Sequence, residues 1–309
     1  MRAIFHLGTY KTGSTSFQNF AYEHRQDLML RGMLYPETGL RLNDTVGARH
    51  TPLIFRFLGG ALDIVPGALE REINQSSCEK LLFSSEAWSA PGHAVHLLRF
   101  TMALRDLGFS DQVGYVFLRN LVDYKVSHYR EFTLNRSNVQ PFSEYVSRKR
   151  AVFDYLLLLS TFRLVFHHKL SVIPFDKRKD SSRVLASQLG VEDLYNSQAA
   201  TGRGNVRNHS ALEVEAVRCA RSIGLTPLSG LQALEELVDE GLIDKDEMWT
   251  EVNTGEREKF SKGYIGKIMD VSGWAWDECE AVLNSDQKEG RNVSELSKLI
   301  TDRISATSF

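Results

Sequence analysis

The first sixteen residues constrain the fold of this chain more than any other stretch. An apolar run, Ala3-Ile4-Phe5-His6-Leu7, breaks into Gly8-Thr9-Tyr10-Lys11-Thr12-Gly13-Ser14-Thr15-Ser16, after which apolar residues resume at helical spacing. The pattern predicts a strand, a phosphate-binding loop and a helix. Such a loop is rich in glycine and hydroxyl residues. Its backbone N–H groups, together with the positive end of the helix that follows, can surround a phosphate. Gly8 and Gly13 keep the spacing of the phosphate-loop pattern G-x-x-x-x-G-K-[ST], and Thr15 occupies its Ser/Thr position. Ser14 stands where that pattern has lysine, and the loop's one lysine, Lys11, lies earlier, which sets its ammonium on a different side of a bound phosphate.

The same alternation returns along the chain. Ser14 to Arg31 spaces Phe17, Phe20, Ala21, Leu28 and Leu30 as one amphipathic helix closed by Gly32. Short strands are expected at Met33-Leu34-Tyr35-Pro36, Lys80–Ser85, Val113–Leu118 and Leu170–Phe175, with helical segments at Leu121–Leu134 and Asp154–His167 between the later ones. Apolar runs separated in this way predict an α/β fold, a mostly parallel sheet flanked by helices of the P-loop NTPase-like kind. Glu86, after Ser84-Ser85, and Arg119-Asn120, after Leu118, then fall at the carboxyl edge of the sheet, where open α/β sheets bind ligands. From about Ser210 the pattern gives helices at Ala211–Gly224, Gly230–Gly241 and Glu278–Ile304 with no strands, a helical C-terminal cap. The 309 residues are expected to form a single domain, 1–309, with an α/β core over 1–180 and the helical region over 205–309.

Composition excludes several classes of function. With 42% hydrophobic and 25% charged residues and no low-complexity tract, long disorder has no compositional basis. A formal net charge of −2 argues against a nucleic-acid partner, because such binding draws on many lysine and arginine contacts to phosphate. The basic clusters Arg148-Lys149-Arg150 and Lys177-Arg178-Lys179 read as solvated surface. Cys78, Cys219 and Cys279 are odd in number and widely spaced, so they suggest neither a disulfide framework nor a paired metal site, and a reducing compartment is expected. Met1-Arg2 leads directly into the first strand, and the aliphatic run Leu156-Leu157-Leu158-Leu159 is too short to span a bilayer. A soluble, cytoplasmic chain without a transmembrane segment is therefore expected; the sequence does not give its oligomeric state.

The two strand-end sites together resemble sulfotransferases that use 3′-phosphoadenosine 5′-phosphosulfate (PAPS). The first loop in that family follows a pattern close to T-x-P-K-x-G-[TS], and here it is Thr9-Tyr10-Lys11-Thr12-Gly13-Ser14, with Tyr10 where many members have proline. The second signature begins with arginine at a strand end and has serine eight residues later, matched by Arg119 and Ser127, with Leu121 where proline is usual. The resemblance spans roughly residues 1–180 and implies that PAPS is the co-substrate and that no metal is required. It implies that Lys11, Thr12, Gly13, Ser14, Thr15 and Ser16 bind the 5′-phosphosulfate, with Lys11 also assisting the leaving group. Arg119 and Ser127 would hold the 3′-phosphate, and Arg203 in Thr201-Gly202-Arg203-Gly204 would complete that site.

An acceptor hydroxyl must lose a proton, which calls for a general base near the sulfuryl group. Glu86 resembles the glutamate used by the glycan-type branch of the family, and His50, in Arg49-His50-Thr51-Pro52, is the second candidate base or a substrate contact. His6, inside the first strand, reads as a core residue, and His167-His168 as the favourable end of a helix. A soluble chain with a Lys-Thr-Gly-Ser loop is similar to bacterial carbohydrate or glycolipid sulfotransferases, so a glycan or small-molecule acceptor is expected, chosen by the loop Glu37–Gly67 and the C-terminal helices. The competing readings are a P-loop kinase or nucleotide triphosphatase and a nucleotide-binding protein without catalysis. The kinase reading calls for lysine directly after Gly13 and an aspartate closing an apolar strand, and the sequence has neither.

Overall fold

Five strands pair side by side, and every pairing is parallel: β1 (Arg2–His6), β2 (Met33–Leu34), β3 (Lys80–Ser84), β4 (Asp111–Leu118) and β5 (Leu170–Pro174), in the spatial order β2-β3-β1-β4-β5. This is the α/β class that the sequence predicts. The computed structural model describes residues 1–40, 48–51, 64–176, 178–198, 209–247, 249–251, 262–283 and 291–307. In chain order its helices are α1 (Ser14–Glu23), α2 (Arg25–Leu30), α3 (Ile64–Ser76), α4 (Ala94–Asp106), α5 (Leu121–Asn135), α6 (Phe142–Arg148), α7 (Tyr155–Phe166), α8 (Ser181–Gln188), α9 (Glu192–Gln198), α10 (Ala211–Ser222), α11 (Pro227–Asp239), α12 (Lys262–Ser272), α13 (Trp276–Leu283) and α14 (Ser297–Thr307). Among the described residues no helix is long and apolar enough to cross a membrane. The chain divides into two compact units, one of residues 1–119, 154–202 and 261–282 and the other of 120–153, 203–260 and 283–309.

The sheet lies in the first unit, and both of its faces are buried. Because side chains alternate along a strand, Ile4 on β1, Leu82 on β3 and Phe117 on β4 share one face with Phe17, Phe20 and Ala21 of α1 and Leu185 of α8. Phe5 and Phe83, directly paired in register, point to the other face with their rings 5.6 Å apart. There Phe166 of α7 comes within 5.3 Å of Phe5, and Phe100 of α4 within 4.9 Å of Phe83. Gly114, opposite Phe5 on β4, makes that approach possible, since a Cβ there would sit 2.9 Å from Phe166 and 3.1 Å from Leu170 and Leu7.

The second unit is built from α5, α6, α10, α11 and α14. Leu212, Ala216 and Cys219 of α10 pack with Leu237 of α11 and Ile300 and Ile304 of α14. Gly230 lets α11 press against the α10 backbone at Ala216. Beneath this contact Glu215 and Arg218 are both buried and form an ion pair at 2.5 Å.

Several boundaries differ from the sequence expectation, three of them as follows. The first helix divides at His24, whose ring packs 5.3 Å from Phe20, so that Leu28 can turn into the core. Helix α11 starts at Pro227, three residues before Gly230, where Thr226 caps it and proline occupies its first turn without losing a needed N–H. The C-terminal third is not free of strands, because Trp249–Thr250 pairs in parallel with Arg291–Asn292 (β6 and β7) and the Arg291 guanidinium lies 5.2 Å over the Trp249 ring. Two residues are too few for a period-two pattern to register.

Candidate active site

The strand order decides which loops meet. The connection after β1 runs to β2 on one side of the sheet and the connection after β4 runs to β5 on the other, so the two loops part at neighbouring strand ends, the position where open α/β sheets bind ligands. Three adjacent strand ends, those of β3, β1 and β4, carry Glu86, the loop Gly8–Gly13 and Arg119.

The loop is held from behind through its carbonyl groups. Thr9 accepts from the Thr12 hydroxyl at 2.8 Å, Lys11 from Arg119 Nη1 at 3.1 Å and Thr12 from the Ser181 hydroxyl at 2.7 Å. The Thr9 hydroxyl in turn donates to the Phe117 carbonyl at 2.9 Å, fixing the loop to β4. Lys11 has φ +68°, a left-handed conformation that costs a non-glycine residue about 1–2 kcal/mol. The Arg119 bond to its carbonyl supports that conformation. Gly13, at φ +78°, leads into α1, and a Cβ there would lie 2.6 Å from Ser181 Oγ. No side chain among the described residues caps α1, so its first-turn N–H groups and the exposed Thr15 and Ser16 stand at a positive helix end suited to an anion. The Lys11 side chain is exposed on the same loop.

Glu86 is buried against this loop, at 5% exposure. Ser85 caps the short 3₁₀ turn that begins at Glu86, which turns the carboxylate from the end of β3 toward α1. Oε1 accepts from the Ser14 hydroxyl, and Oε2 accepts from Gln18 Nε2 at 3.3 Å. Arg49 completes the setting, with Nη1 3.6 Å from Oε2. Gly8, at φ +46°, admits the carboxylate, since a Cβ there would be 3.3 Å from Glu86 Cγ. The charge is felt around it: Tyr35, fully buried and donating to the Ala48 carbonyl at 2.6 Å, has its phenol pushed up by burial and then by Glu86. Burial pulls the His6 imidazole down to about 4 against the opposing pull of Glu86, and His6 Nδ1 lies 2.8 Å from the Ser84 hydroxyl. His6 is thus the core residue expected.

His50 stands elsewhere. It is completely buried, its Nδ1 accepts from the Ser84 N–H at 3.1 Å, and its Nε2 is 2.9 Å from the Pro36 carbonyl oxygen, to which it donates in the tautomer this requires. Burial brings it down to about 4. With both nitrogens committed to backbone, His50 has neither a lone pair nor an N–H directed at a substrate. It ties the segment 48–51 to β3, and its neighbour Arg49 reaches the carboxylate.

Arg119 also packs its guanidinium 5.6 Å over the Phe175 ring, and its carbonyl accepts from the Tyr155 hydroxyl at 2.7 Å. It closes the first unit. Ser127 belongs to the second, half-buried on α5, whose N-terminus is capped by Asn120 accepting from the N–H groups of Val122 and Asp123. Leu121 is the first helical residue, a position where proline lacks only an N–H the helix does not use, so leucine there changes none of the helix's own bonds. Arg203 and its Gly-Arg-Gly neighbours lie outside the described residues, as do Lys177 and most of the segment between Glu37 and Gly67. Sequence reasoning missed Gln18, Arg49 and Ser181. Gln18 could have been found, being one helical turn beyond Ser14 on the same face.

No family model matches this chain, and no curated protein matches it. Among solved structures, a sulfotransferase from Alicyclobacillus acidocaldarius is similar at 16% identity, over 76% of this chain and 96% of that one, with a TM-score of 0.37.

Proposed function

We propose that the protein is a sulfotransferase that moves the sulfuryl group of PAPS to an acceptor hydroxyl, that of a carbohydrate or glycolipid. The observation that carries the reading is the meeting of three strand-end motifs at one edge: Arg119 bonded to the Lys11 carbonyl, and Glu86 bonded to Ser14 of the same loop. The uncapped start of α1, with Thr12 to Ser16 around it, suits the 5′-phosphate. Arg119 and Ser127 take the 3′-phosphate in this reading, on the strength of their eight-residue spacing, and Arg203 is assigned to the same phosphate. His50 receives no chemical role.

In the reaction the acceptor oxygen attacks sulfur, and the bond from sulfur to the bridging oxygen of the phosphosulfate breaks. The acceptor's proton passes to a Glu86 carboxylate oxygen, and the bisphosphate nucleotide leaves with the bridging electron pair. The Lys11 ammonium offsets the charge that builds on that oxygen. Glu86 meets the requirement of a base, an acceptor-only group within the site whose Oε1 accepts from one exchangeable hydroxyl, that of Ser14.

Calorimetric titration with 3′-phosphoadenosine 5′-phosphate, against Mg²⁺-ATP as control, tests the reading. Micromolar binding of the bisphosphate is expected, weakened by roughly 1.5–3 kcal/mol in Arg119→Ala, the size of a lost charge-assisted bond. A preference for Mg²⁺-ATP would sink it.

A further inference from the structure

We infer that Arg49 is a positioning residue for the Glu86 carboxylate, which it faces, together with Gln18, at Oε2. The inference rests on the reading of Glu86 as general base. The two carboxylate oxygens are held unequally. Oε2 faces an amide N–H at 3.3 Å and a guanidinium at 3.6 Å, whereas Oε1 meets the Ser14 hydroxyl of the phosphate loop. Gln18 is itself steadied by a second bond, Nε2 to the Ser84 hydroxyl at 3.1 Å. Both oxygens are therefore tied to α1, Oε1 through Ser14 and Oε2 through Gln18, while Arg49 reaches the carboxylate from the segment 48–51.

Arg49 owes its place to the short segment that carries it, independently of Glu86. His50 donates its backbone N–H to the Ser84 carbonyl at 2.9 Å, its ring bridges the Ser84 N–H and the Pro36 carbonyl, and the Thr51 hydroxyl lies 2.9 Å from that of Ser85. Tyr35 holds the Ala48 carbonyl. These bonds bracket Arg49 on both sides and fasten its segment beside the end of β3. Its side chain is 13% exposed, and among the described residues Glu86 is its one ion-pair partner. Glu86 is the buried member of the pair, so removing Arg49 leaves a buried carboxylate without its charge partner.

The test uses the full chain and four variants: Arg49→Met, Arg49→Lys, Glu86→Gln and the double variant Arg49→Met with Glu86→Gln. Unfolding midpoints are measured for all of them. Affinity for 3′-phosphoadenosine 5′-phosphate and turnover of PAPS with a panel of methyl glycosides complete the set. The expected result is non-additivity in both cycles: the double variant is no less stable than the worse single one, and no slower than Glu86→Gln. Arg49→Met should lose at least tenfold in kcat with bisphosphate affinity within twofold of the parent, and Arg49→Lys should recover part of kcat, which a purely structural residue would not show. Additive effects on stability would overturn the pairing, and a fall in bisphosphate affinity matching the fall in kcat would make Arg49 a phosphate ligand instead. If the parent chain neither binds the bisphosphate nor turns over, the sulfotransferase reading fails on its own, and the stability cycle still decides whether Arg49 holds Glu86.

Discussion

Acidification should destabilise this fold well above the range where its carboxylates titrate, and His50 should account for a defined share of the loss. His6 and His50 are both buried and both drawn down to about 4 in the folded chain, from about 6.5 when unfolded. The unfolded chain therefore binds protons that the folded chain excludes. The stability that neutral histidine provides is complete above about pH 6.5 and is lost as the pH falls toward 4. Between pH 7 and pH 5 each of the two removes about 2 kcal/mol, or about 4 kcal/mol together. His96, also lowered by burial, acts in the same direction. Asp111 and Asp193, held below the usual carboxylate range by Lys169 and Arg31, stay ionised in both states over this window and contribute no slope. Urea unfolding at pH 7, 6 and 5, followed by circular dichroism, measures the loss. His50→Asn keeps an acceptor near the Ser84 N–H but has no proton to gain, so it should start less stable and lose about 2 kcal/mol less across the same interval. Equal slopes in the parent and His50→Asn would refute the assignment of His50 as a buried neutral cross-link.

Three further outcomes are expected. Gly13→Ala should cost about 2–3 kcal/mol, from the left-handed backbone and the displaced Ser181 bond to the Thr12 carbonyl, and pairing it with Ser181→Ala should return part of that; chemical unfolding of both variants decides it. Gly114→Ala should overpack the aromatic face of the sheet by about 1–3 kcal/mol, read from the same unfolding curves, with bisphosphate binding unchanged. Lys11→Ala should abolish sulfuryl transfer with an unfolding midpoint close to that of the parent, because its side chain is exposed; retained transfer would remove it from the mechanism.

What could be read in the sequence was local, and what escaped it was the pairing of distant residues. The strand, loop and helix at the N-terminus were legible because each leaves its own mark: an apolar run, glycines at two of the three loop positions that take positive φ, and apolar residues at helical spacing. The first residues of β4 were not, since Asp111 and Gln112 are polar; Gln112 is nonetheless buried, donating to the carbonyls of Thr101 and Phe109 at 2.7 and 3.0 Å. Choosing between His50 and Arg49 shows the same limit. Histidine is the residue type that suggests acid–base chemistry, but the backbone groups that occupy both its nitrogens come from Pro36 and Ser84, and no spacing in the sequence announces them. Lys11 takes a left-handed conformation with help from Arg119, 108 residues away. Even the three strand-end motifs become one site through topology. With β1 between β3 and β4, the loop after β1 has Glu86 on one side and Arg119 on the other. The same motifs in a sheet with β1 at its edge would leave only one of those residues beside the loop, so the order β2-β3-β1-β4-β5 does as much as any motif to assemble this edge.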